Sequence, residues 1–63
     1  MDIRSLGKTI SARRRSLGLT QERLAKMAGL SRRTIQALEA GTLQDLGFER
    51  VARTLGVLGL SFS

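Results

Sequence analysis

Along most of this 63-residue chain, apolar positions return at helical spacing, and glycines punctuate the pattern. Ile3, Leu6, Ile10 and Leu17 fall near one side of a first helix, with Asp2 as its cap and Gly18 at its end. A second helix is predicted within "TQERLAKMAG", residues 20–29. Thr20 is its N-cap, Glu22 suits its positive start, and Leu24, Ala25, Met27 and Ala28 face a core. Gly29 stops it, because glycine takes a positive φ without steric cost. "SRRTIQALEAG", residues 31–41, predicts a third helix from Ser31 to Gly41. A fourth runs from about Asp45 to Leu55, with Leu46, Phe48, Val51, Ala52 and Leu55 apolar and Gly56 ending it. Gly47 weakens its first turn. In the tail, "VLGLSFS", the period changes: Leu58, Leu60 and Phe62 alternate with Gly59, Ser61 and Ser63. Period two predicts a short C-terminal β-strand over 57–63. An isolated strand has no partner in an otherwise helical chain; a second copy of the chain would supply one. No Pro, repeat or low-complexity run marks a linker, so residues 1–63 read as a single all-α domain of four helices plus that strand.

The third helix breaks a local rule. Arg32 and Arg33 occupy its first turn, where the helix dipole favours acids and disfavours cations. At about 100° per residue, Ile35 and Leu38 point to one side, and Arg32, Arg33, Gln36, Ala37 and Ala40 form the opposite arc. That arc carries no acid. Arg and Gln read guanine and adenine edges through paired hydrogen bonds, and Ala37 suits a thymine methyl. An ordinary solvated helix face has a similar polarity, so the arc alone leaves both readings open.

Charge moves the balance. Eleven Lys and Arg oppose five Asp and Glu, a net charge of +6, and nine of the eleven are Arg. A small, strongly basic chain suits an anionic partner, nucleic acid or a membrane surface. Arg in particular matches phosphate and base edges with a planar fork. With no Cys and no His, disulfides, thiolate chemistry and the common zinc sites are excluded. The carboxylates are scattered and no phosphate-cradling glycine loop occurs, so no enzyme and no cofactor or metal is expected. No apolar run approaches the roughly 20 residues of a membrane span, and no secretory signal is evident. A cytoplasmic protein is the expectation.

The second and third helices are separated by only Gly29 and Leu30, a helix-turn-helix arrangement. In "LGLTQERLAKMAGLSRRTIQALEAG" the chain resembles the Cro/lambda-repressor type, the Xre family. Ala25 stands where the two helices cross, Gly29 makes the turn, Leu30 plugs beneath it, and Ile35 and Leu38 anchor the second helix. The resemblance covers roughly residues 6 to 56. It implies an all-α, lambda-repressor-like bundle of four to five helices whose third helix enters the DNA major groove. It also implies DNA contacts from Gln21, from Thr20 with the helix start behind it, from Ser31, Arg32, Arg33, Gln36 and Ala37, and from Thr42 and Gln44 in the following loop. For Thr42 a helix-capping role fits equally well. Arg14 matches a family arginine that pairs with a late glutamate of the recognition helix, here Glu39. Arg13 and Arg15 then lie on other sides of the first helix, one of them a candidate phosphate contact.

The expected function is sequence-specific binding of a double-stranded DNA operator by a homodimeric transcriptional repressor. Such a protein is bacterial or phage-encoded and nucleoid-associated. The terminal strand resembles the arrangement in HipB-like antitoxins, which bind a toxin and repress their own operon. The alternative is a protein-interaction module that binds a toxin or other partner without specific DNA recognition.

Overall fold

A computed structural model of the protein describes residues 2–42 and 47–60. Four α-helices lie among them: α1 (Ile3–Ser16), α2 (Gln21–Ala28), α3 (Arg32–Ala40) and α4 (Phe48–Val57). The caps explain most of the boundaries. Asp2 Oδ1 accepts from the backbone N–H of Arg4 at 2.7 Å and of Ser5 at 3.0 Å. These bonds to the charged form hold the Asp2 carboxyl below its usual range. Thr20 Oγ1 accepts from Arg23 N–H, and Ser31 Oγ from Thr34 N–H. Helix α4 starts from Gly47 without a side-chain cap. The first three helices thus begin and end within a residue or two of their expected positions. For the fourth, Leu46 and the expected start at Asp45 lie outside the described residues.

One core joins the four helices. Leu6 and Ile10 of α1, Leu24 and Ala25 of α2, Ile35 and Leu38 of α3, and Val51 and Leu55 of α4 form it with Leu58, while Leu19, Leu30, Val57 and Leu60 pack around it. Helix α3 packs against both α1 and α2, and α4 packs against α2. Thr54 is fully buried, and its hydroxyl donates to Arg50 C=O at 3.0 Å, so no buried polar atom is stranded there. Among the described residues, three large apolar side chains stay outside this core: Met27, expected to face inward, is 48% exposed, and Leu17 and Ile3, expected on the apolar side of α1, are 44% and 39% exposed. Met27 projects from the flank of α2, away from the Leu24–Ala28 side.

The strand expected over 57–63 is not what residues 57–60 form. Helix α4 runs through Gly56 to Val57, Leu58 caps it, and Gly59 turns left-handed at φ 72°. Gly59 N–H then donates to Gly56 C=O at 3.2 Å, and Leu60 N–H to Leu55 C=O at 2.8 Å. That bond pair is a Schellman closure, which satisfies carbonyls a helix end leaves free. Leu58 and Leu60 recur two apart because one caps the helix and the other folds back onto the core; Leu58 is 1% exposed. The same closure ends α1 at Leu17, Gly18 and Leu19, where Leu19 N–H donates to Arg14 C=O at 3.0 Å. Phe62 lies outside the described residues. Arg13 secures the α4 end by donating Nε to Leu58 C=O at 2.9 Å. It is a cation placed where the helix dipole is negative.

Candidate nucleic-acid interface

The turn between α2 and α3 fixes how the two helices stand. Gly29 is left-handed at φ 69°, and Leu30 N–H donates to Ala25 C=O at 2.9 Å. Leu30 folds beneath the turn, and Ala25, 3% exposed, leaves room for the close crossing. These are the residues that make a helix-turn-helix.

Helix α3 has two unlike sides. Ile35 and Leu38 are completely buried. Ser31, Arg32, Arg33, Gln36 and Ala40 are exposed, and Ala37 and Thr34 are half-buried. Arg33 and Ala40, seven residues apart, mark the middle of the outward arc. Arg32 leans the other way, toward the side of Glu39.

Glu39 is the hub that locks α3 to its neighbours. Its carboxylate accepts from Arg14 Nε at 2.7 Å, from Arg14 Nη2 at 3.1 Å and from Gln21 Nε2 at 3.2 Å. Arg14 also donates Nη1 to Leu19 C=O at 2.7 Å. The two charged side chains are only 10% and 7% exposed, so a fork of paired bonds replaces the water each has lost. Burial alone would raise the Glu39 pKa. The bonds from Arg14 and Gln21, the Arg14 charge and the Ser11 hydroxyl outweigh it and hold the carboxyl below its usual value of 4.5.

This hub brings several expected contacts together. Thr20, Gln21, Glu22, Arg14 and Arg32 line one open cleft of about 400 Å³ between the starts of α2 and α3. Thr20 is exposed and Gln21 half-buried, its amide turned toward Glu39. Thr42 stands apart: it is exposed, its N–H donates to Ala37 C=O at 3.1 Å, and its hydroxyl lies 3.5 Å from the same oxygen. It closes α3, the capping role considered for it. Gln44 lies outside the described residues. Arg14 and Glu22 were not singled out as part of this surface. Arg14 lies at the cleft because its fork is bonded to Glu39, a pairing that only the family resemblance signalled, and nothing in the sequence pointed to Glu22 there.

Sequence comparison agrees with this geometry. The helix-turn-helix family profile matches residues 10–63. A relative from Methanothermobacter thermautotrophicus, described as an uncharacterized HTH-type transcriptional regulator, is 47% identical over 49 residues, covering 75% of this chain and 71% of the relative. The chain belongs to the Xre-type helix-turn-helix family. Its class of function is DNA-binding transcription regulation. No described helix is long and apolar enough to cross a membrane.

Proposed function

We propose that the protein binds a double-stranded DNA operator sequence-specifically and represses transcription as a homodimer. The observation that carries this reading is the outward arc of α3: two arginines, a glutamine and two alanines, without an acid, on a helix held rigidly from behind. The arc enters a major groove, where Arg33, Arg32 and Gln36 meet base edges and Ala37 meets a thymine methyl. Thr20, Gln21 and Ser31 meet the phosphate backbone at the two helix starts. Thr42 is a backbone contact only through whatever its exposed position adds to its capping role. Two copies place two recognition helices in successive grooves about 34 Å apart, and an occupied operator excludes RNA polymerase. A domain this small is marginally stable alone, which also favours association.

The antitoxin subtype drew its support from a terminal strand. Leu58 and Gly59 close α4 instead, so the repressor reading stands without it. The alternative of a protein-interaction module leaves the α3 arginines unexplained.

The test is the salt dependence of binding to a duplex that the protein selects from a randomised pool. Each neutralised phosphate contributes a slope of about −0.9 in log K against log salt, so a steep line is expected. A flat line would sink the DNA reading. Sedimentation of the complex checks the dimer, expected as two chains per duplex; one chain per duplex would refute it.

A further inference from the structure

Glycine within a helix is unfavourable against alanine, so Gly7, buried inside α1, needs a reason. A Cβ at Gly7 would stand 2.6 Å from the carbonyl oxygens of both Leu38 and Glu39, and 3.0 Å from the Glu39 carbonyl carbon. Carbon and oxygen approach one another at about 3.3 Å even in the close contacts between helices. The obstacle is backbone of the last turn of α3, which no side-chain rotation can move aside. Opening the gap therefore shifts α3 against α1 by about 0.7 Å.

A second contact lies beside the first. A Cβ at Gly41, just past the end of α3, would stand 3.0 Å from Arg4 Cα and 3.1 Å from Arg4 Cγ. Helix α1 thus meets the end of α3 at two points, and each is a glycine on one side. Base readout by paired hydrogen bonds demands placement to within about 0.5 Å, less than the shift an alanine would force.

We propose that Gly7 is a positioning residue for DNA recognition: its lack of a side chain sets the depth and tilt at which α3 stands out from the bundle, and thereby base discrimination. This rests on the DNA-binding reading above.

The experiment measures two affinities for each protein, one for a duplex selected by the wild type from a randomised pool and one for a random-sequence duplex of equal length. The readout is their ratio. A variant that merely unfolds some molecules lowers both affinities by one factor and leaves the ratio alone. In Gly7→Ala the ratio is expected to fall about ten-fold, the worth of one lost paired contact. Gly41→Asn keeps the left-handed backbone that Asn tolerates and presses on α1 more gently, so a fall of about three-fold is expected, a fraction of one such contact. Gly18→Asn is the control: it has the same kind of left-handed φ, 72°, with open space around it, and its ratio should match the wild type. If Gly7→Ala does not fold, Gly41→Asn against Gly18→Asn decides. Unchanged ratios in the first two variants, or an equal fall in Gly18→Asn, would overturn the role of Gly7 while leaving DNA binding intact. A wild type that shows no preference for its selected duplex removes the DNA reading and the inference with it.

Discussion

Helices α2 and α3 begin alike and then part. Each opens on a hydroxyl that accepts a backbone N–H three residues on, at 3.0 Å for Thr20 and 3.1 Å for Ser31. The first turn of α2 then carries Glu22, in accord with the helix dipole, whereas the first turn of α3 carries Arg32 and Arg33 and no acid. A third arginine, Arg14, shows what the chain does with a cation whose role is structural: it is enclosed and bonded to a carboxylate and a carbonyl. Arg32 and Arg33 are exposed. The difference separates a cation that serves the fold from two that cost the free protein something, a cost that the proposed DNA contact would offset.

The largest expected effect comes from breaking the structural side of this contrast. Glu39→Gln leaves Arg14 enclosed without a counter-charge and should destabilise the fold by about 3 kcal/mol, the lower end for such a loss because the amide still accepts one bond. Thermal unfolding checks it, and an unchanged melting temperature would rule out a structural role for the pair.

Acid should act on the same pair more gradually. The Glu39 carboxyl titrates below 4.5 in the folded protein and near 4.5 when unfolded, so the stability it supplies is full above the unfolded value. That stability is lost as pH falls through the lower, folded value. Melting temperatures of the wild type and Glu39→Gln should therefore converge as pH falls below 4.5 and through the lower, folded value. Parallel curves down to pH 2 would contradict this.

The smallest effects sharpen the contrast between the helix starts. Arg33→Ala should stabilise the free protein by about 0.3–1 kcal/mol at low salt, and Glu22→Ala should destabilise it by a similar amount. Melting in low and high salt distinguishes them, since both shifts should shrink as salt rises. A loss of stability in Arg33→Ala would mean that this arginine serves the fold after all.

Much of this was legible in the residues. Ser31, Gly29 and Gly41 delimit α3, and the spacing of Ile35 and Leu38 orients it, because caps and helical period are local. The Arg14–Glu39 pair joins α1 to α3, and no local rule reveals it; it came from the family resemblance. The tail was misread because period two has two physical sources. In Leu58–Gly59–Leu60 the glycine reverses the chain at a helix end, so the flanking leucines reach one core without any strand. The clue was present: the same triplet, Leu17–Gly18–Leu19, closes α1. Met27 sat at a spacing that allowed burial, yet it lies on the flank of α2 and stays exposed.

The central claim is that Arg32 and Arg33 stand at the wrong end of a helix because DNA sequence is read there. The direct measurement compares wild type with the Arg32→Ala, Arg33→Ala double variant on a selected duplex and on a random duplex at one salt concentration. Base contacts should cost the selected duplex about 1–3 kcal/mol per arginine lost, with a much smaller loss on the random duplex. Equal losses on both would make the two arginines phosphate contacts only and contradict the claim.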